Sequence, residues 1–184
     1  MWRSCSALLF LAFVLVAAAQ TPTKYPATNK DATAERCDLP AGLGDEISNK
    51  YPGTRIVHLA DLKQDDRKLF VRDHGPRCPG LAKVDFYGDR RPTWALVLIA
   101  AKGSPQKGEL VVAHQTDNGW ETRSLETTEG TPVVWREGPG KYDSVSESKT
   151  IRATNPVIVF CGYGSWAILY AWTGKAVEKI WISD

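Results

Sequence analysis

Two carboxylates, Asp85 and Asp89, close an apolar segment and run straight into Arg90 and Arg91. Alternating carboxylates on a turn are the donor set of a hard cation, which wants several oxygen ligands. Here Tyr87 holds the middle position and two guanidiniums follow, so the same oxygens are equally suited to charge-assisted hydrogen bonds. The composition of the turn therefore argues against a metal centre. It leads us to expect an arginine guanidinium held between Asp85 and Asp89, against the plainer alternative of a solvated charged turn whose ion pairs contribute little.

The stretch Val84-Asp85-Phe86-Tyr87-Gly88-Asp89-Arg90-Arg91-Pro92-Thr93-Trp94-Ala95 resembles the Asp-x-Asp-Gly-Asp-Gly loop of FG-GAP and VCBS-type exported bacterial proteins. In that family a strand enters the loop, an apolar strand leaves it, and the carboxylates bind calcium. Asp85 and Asp89 match the first and third ligand positions. Tyr87, Arg90 and Thr93 replace the second carboxylate, a glycine and the closing aspartate. The resemblance spans Leu81 to Leu125, the length of one propeller blade, and a lone blade cannot close a propeller.

No other constellation assembles a reaction centre. His58, His74 and His114 share no metal-ligand spacing. Gly162-Tyr163-Gly164-Ser165-Trp166-Ala167 lacks the flanking glycines of a nucleophile elbow and reads as a hairpin turn. Asp61, Asp65 and Asp66 alternate with Lys63, Arg67 and Lys68 as on a solvated helix face. The sequence therefore names no catalytic residue, no metal ligand and no cofactor. Most tryptophans suit a core; Trp120 and Trp135, beside polar neighbours, are the surface candidates for stacking on a sugar or a protein partner. The candidate binding residues are Asp85, Asp89, Arg90, Arg91, Trp120 and Trp135.

The elements that must hold them follow from periodicity. Asp38, Pro40 and the four-residue spacing of Leu39, Leu43 and Ile47 predict a short helix. Arg55–Leu59 reads as a strand. Leu62–Asp73 reads as a second helix, with Asp61 and Gln64 as a capping box and Gly75 as its stop. The rest is β. Leu81–Phe86 is one strand. Thr93–Ala100 is apolar on both alternating faces, as in a strand covered on both sides. Glu109–Gln115 and Trp120–Leu125 flank Asp117-Asn118-Gly119, a strong hairpin signal. Pro132–Arg136, Pro156–Cys161, Trp166–Trp172 and Ala176–Ile182 complete the set, and the polar stretch Glu137–Thr150 reads as a surface loop. The expected fold is a β-rich α+β single domain: two short N-terminal helices, then about eight mostly antiparallel strands joined by short turns.

Arg3, the apolar run Ala7–Val16 and Ala17-Ala18-Ala19 have the form of a cleaved signal peptide over 1–19, too short to span a bilayer. Residues 20–36 read as a flexible leader and 37–184 as the globular domain. Export to an oxidising compartment favours a Cys37–Cys78 disulfide and leaves Cys161 as a buried thiol. A formal net charge of +2 gives no basic excess for nucleic acid, and no mature segment has transmembrane length. The chain is expected to be secreted or periplasmic. The first functional expectation is a binding module for an unknown protein or glycan of the envelope or medium. The alternatives are a secreted enzyme with a site built from scattered residues, a carbohydrate-binding module, and an assembly factor with exposed edge strands.

Overall fold

The apolar segment Thr93–Ala100 is buried on both faces in the computed structural model, which describes residues 36–102 and 107–183. The expected signal segment 1–19 and the leader, apart from Arg36, lie outside the described residues. In chain order the elements are α1 (Leu43–Lys50), β1 (Thr54–Ile56), a 3-10 turn (Leu59–Asp61), α2 (Gln64–His74), β2 (Leu81–Val84), β3 (Thr93–Ala100), β4 (Lys107–Thr116), β5 (Gly119–Glu129), β6 (Val133–Glu137), β7 (Gly140–Asp143), β8 (Thr150–Ala153), β9 (Val157–Gly162), β10 (Trp166–Trp172) and β11 (Val177–Ser183). The chain is β-rich, with antiparallel pairing throughout the described strands. Eleven strands form among the described residues, more than the expected number, because a hairpin, β7–β8, occupies part of the stretch that reads as loop and the residues just after it.

One sheet runs β1-β3-β4-β5, with β2 also paired to β3; a second runs β11-β10-β9-β6. Alternation sorts the side chains of β3. Ala95, Val97 and Ile99 face the second sheet in the main core, whereas Leu96 and Leu98 face Leu43 and Ile47 of α1. The second sheet is also covered twice. Tyr170 of β10 donates its hydroxyl to Glu126 of β5 on one side, while Phe70 and His74 of α2 meet Tyr163 and Trp135 on the other. Each of these two sheets is therefore covered on one face by the other and partly on its outer face by a helix.

The helices start later than their sequence signals. Gly42 takes a left-handed φ of 75° before α1, so Asp38 and Pro40 lie outside the helix. The expected strand Arg55–Leu59 stops at Ile56 because Asp61 gathers the chain instead: it accepts both Arg55 guanidinium nitrogens at 2.6 Å and the His58 N–H at 2.8 Å. That engagement makes Asp61 part of the 3-10 turn rather than a cap for α2, and its carboxyl is held below the usual range chiefly by the Arg55 hydrogen bonds. Gly75 does end α2.

β1 and β2 share a single edge of β3. The Val57 N–H donates to the Val97 carbonyl, the Val97 N–H donates to the Gly80 carbonyl, and the Gly80 N–H returns to the Val57 carbonyl. A Cβ on Gly80 would lie 2.6 Å from the Val57 oxygen and 2.7 Å from its nitrogen. The Cys37–Cys78 disulfide closes beside this junction, as the sequence suggests. Cys161 is a buried free thiol whose pKa burial pushes up to about 12.

Two outcomes test this packing. Gly80→Ala should cost about 1–3 kcal/mol or prevent folding, because the methyl meets backbone that cannot yield; denaturant unfolding reads the loss. His74 lies 4.6 Å from the Trp135 ring centre, and burial drives its pKa down to about 4. An unfolded histidine titrates near pH 6.5. Between those values the unfolded chain binds a proton that the folded chain refuses, so stability falls as pH drops through this window. Part of the ring faces solvent, so the loss should be about 2 kcal/mol rather than the full shift. Unfolding of wild type and His74→Phe at pH 7 and 4.5 should show that fall reduced in the variant.

Candidate functional site

The loop joining β2 to β3, residues 85–92, is held at several points. Gly88, at φ 71°, sits so close to Asn155 that a Cβ would lie 2.5 Å from its amide. The Asp85 carboxylate accepts the Arg90 N–H at 3.3 Å and the Asp89 carboxylate accepts the Arg91 N–H at 3.0 Å. The Arg91 guanidinium reaches out to Asp117 at 2.9 Å, at the tip of the β4–β5 hairpin. The Gln115 N–H donates to the Pro92 carbonyl at 3.0 Å. Among the described residues, backbone amides and, at Asp89, the His114 imidazole engage the two carboxylates rather than a guanidinium, which corrects the expected arginine clamp. The physical reason is reach: amides two and five residues on close the turn without ordering a long side chain.

The loop divides two clefts. Asp89 belongs to one of about 440 Å³ and Asp85 to another of about 510 Å³. Asp89 and Asp85 therefore do not converge. Among the described residues, no three His, Cys, Asp or Glu side chains form a group that could hold a metal ion.

The Asp89 cleft lies between the loop, the main-core face of β4–β5 and the end of β10. Register builds its floor. Thr93 pairs with His114 across β3–β4, His114 with Glu121 and Val112 with Arg123 across β4–β5. Directly opposed residues share a face, so His114, Glu121 and Arg123 stand together. His114 is held at both nitrogens: Nδ1 lies 3.0 Å from the Thr93 hydroxyl and Nε2 lies 3.0 Å from the Asp89 carboxylate. The Thr93 hydroxyl belongs to a residue with 0% exposure, while the His114 and Asp89 side chains are 16% and 39% exposed. Tyr87 meets His114 edge-on at 4.6 Å between ring centres, and Trp172 closes the far wall, 5.2 Å from Tyr87. Burial raises the Tyr87 pKa, so its hydroxyl stays protonated and able to donate.

This arrangement can present two aromatic edges, a hydroxyl, two carboxylates and a guanidinium to a ligand. It does not supply an activated nucleophile. The hydroxyl beside His114, which an attacking nucleophile would have to present to a substrate, is sealed from solvent.

Of the residues singled out in the sequence, the structure brings Asp85, Asp89, Arg90 and Arg91 to the dividing loop. Trp120 and Trp135 lie elsewhere and serve the helices. Trp120 donates its indole N–H to the Ala41 carbonyl at 3.2 Å beneath α1, and Trp135 stacks with His74 of α2 while donating to Glu137 at 2.9 Å. Sequence reasoning missed His114, Thr93, Tyr87, Glu121, Arg123 and Trp172 as a set. The signal available was the Asn118-Gly119 turn, which fixes β4–β5 register and so pairs His114 with Glu121. Searches against protein-family models, curated proteins and solved structures found no match to the chain.

Thr93→Val keeps the volume of the buried side chain but removes the hydroxyl facing His114 Nδ1. It should lower stability by about 1–3 kcal/mol, the cost of leaving a mostly buried polar atom unpaired, with circular dichroism unchanged; chemical denaturation gives the number.

Proposed function

We propose that this chain is an exported binding module that takes a polar, ring-containing ligand, a saccharide above all, in the Asp89 cleft. One observation carries the reading: Tyr87 and Trp172 stand beside a His114 fixed at both nitrogens, with Glu121 and Arg123 exposed at the rim. Saccharides present apolar ring faces and many hydroxyls, and they are held by aromatic edges or faces plus paired donors and acceptors. A cleft of about 440 Å³ suits one or two sugar rings by volume. The resemblance of loop 85–92 to FG-GAP and VCBS-type turns supports a ligand-facing role for the loop, carried here by Tyr87 and Asp89.

Export is supported by the form of the first nineteen residues, by the Cys37–Cys78 bond and by the finding that no described helix is long and apolar enough to cross a membrane. The enzyme alternative has one observation in its favour, the His114–Asp89 pair inside a cleft. It is weakened by the sealed Thr93 hydroxyl. The assembly reading is weakened at β5, an edge strand that carries Glu121, Arg123 and Glu129 and a bulge opposite Leu110/Val111. Charges and bulges blunt strand addition.

Purified 20–184 on a glycan array, followed by calorimetry on the strongest hit, tests the proposal. Trp172→Ala should weaken binding at least tenfold, because the half-buried ring forms the cleft wall; the ring also packs against the core, so circular dichroism and Trp172→Phe, which should keep part of the binding, separate loss of the wall from loss of the fold. An empty array, or turnover of a bound glycan that His114→Gln abolishes, would remove the binding-module reading.

A further inference from the structure

On the opposite side of loop 85–92 the cleft of about 510 Å³ gathers Lys83, Arg90, Arg91 and Arg136 around a single carboxylate, Asp85. The chain as a whole carries a formal charge of only +2, so this concentration is local. The four cations are not equally committed. Arg91 is paired with Asp117. Lys83 places its ammonium 5.8 Å from the Trp94 ring centre, a contact that keeps its full charge. Among the described residues the guanidiniums of Arg90 and Arg136 have no hydrogen-bond or ion-pair partner, and both residues are exposed. Asp85 has its own engagement, accepting the Arg90 N–H.

Arg90 is also the one described non-glycine residue at positive φ, 65°. For a residue with a Cβ that region is strained. Glycine would occupy it freely, as Gly88 does two residues earlier at 71°. A long charged side chain therefore sits where the backbone alone prefers none, and it projects toward a cleft with two other uncommitted cations. Strain of this kind marks positions whose side chain serves something other than stability.

We propose that Lys83, Arg90 and Arg136 form an oxyanion site, and that the ligand of this protein is an acidic saccharide whose sulfate or carboxylate lodges there. The choice of a sugar as carrier rests on the saccharide reading of the neighbouring Asp89 cleft; the oxyanion site itself does not. Guanidiniums match the oxygens of sulfate and carboxylate through two parallel N–H bonds, and the lysine adds a point charge. The volume exceeds that of a bare anion and falls in the range of small-molecule sites. Loop 85–92 forms a wall of both clefts, so an acidic saccharide chain that crosses the loop would meet the two together.

Calorimetry on 20–184 with a sulfated polysaccharide that carries no carboxylates, its neutral desulfated form and inorganic sulfate separates the possibilities. The sulfated form should bind at least tenfold tighter than the desulfated one and weaken steeply with salt. Arg136→Gln and Arg90→Gly should each erase most of that difference. Arg90→Gly should at the same time raise the melting temperature by about 2–4 °C, since it relieves the strained φ; a merely structural arginine would lower it. Equal binding of the two polymers overturns the oxyanion site and leaves the saccharide reading standing. Sulfate binding that depends on Arg90, with neither polymer bound, keeps the oxyanion site and removes the saccharide. No binding of any probe removes both.

Discussion

Three residues, Cys78, Pro79 and Gly80, hold this fold at the point where its layers meet. Cys78 is bonded to Cys37. The Pro79 carbonyl accepts the Val134 N–H of β6 at 2.8 Å, joining the first sheet to the second. Gly80 hands the edge of β3 from β1 to β2 through its bonds with Val57 and Val97. Two strands can follow one another along a single edge only if their ends approach backbone to backbone, and a side chain at Gly80 would occupy the space that Val57 needs. The register of β2 follows from this handover: Leu81 falls opposite Leu96 and Val84 opposite Thr93. The starting point of loop 85–92 is then set, and with it the separation of the two clefts.

The same geometry explains why the helices are short. Each sheet has one face against the other sheet and needs only a partial cover on its outer face. Leu43 and Ile47 suffice for the outer face of β3–β4, with Trp120 closing the side. Phe70 and His74 cover the second sheet beside Tyr163 and Trp135. Helices of this length are marginal alone, so α1 and α2 persist because the sheets give their apolar faces a place to pack. The indoles that look like surface candidates are the contacts that fix them.

Strong local signals were legible in the sequence. The doubly apolar Thr93–Ala100, the Asn118-Gly119 turn, the Leu43–Ile47 spacing and the Cys37–Cys78 pairing all appear in the structure. The hairpin β7–β8 was not legible, because its burial rests on little more than Tyr142 opposite Ile151 while Lys141, Asp143 and Arg152 remain polar. With the small Ala153 these make three residues over two strands, too few to give a period to detect. The Asp89 cleft was illegible for a different reason. Asp89, His114 and Trp172 are far apart in the chain, and their meeting requires β3–β4 register, the sheet-on-sheet stacking and the loop conformation at once. Of the residues around the clefts, those of the loop stand out in the sequence, through charge and spacing.

What the spacing does not reveal is direction. In a strand, Asp85 and Asp89 would project to the same side, as alternate residues do. Between them the chain passes through the left-handed Gly88, and just beyond them through the strained Arg90. The turn at Gly88 breaks the strand alternation, and one carboxylate faces the basic cleft while the other braces His114. The loop is then fixed by Asn155 beneath it, by Asp117 at its flank and by its own amides. A loop already ordered in this way would lose little freedom on binding a ligand, which is the condition under which a few contacts yield useful affinity. Its outward groups, the Tyr87 ring on one side and the Arg90 guanidinium on the other, differ in chemistry because they serve different walls. A partner that fits both must carry an apolar ring face and an anion close together on one molecule.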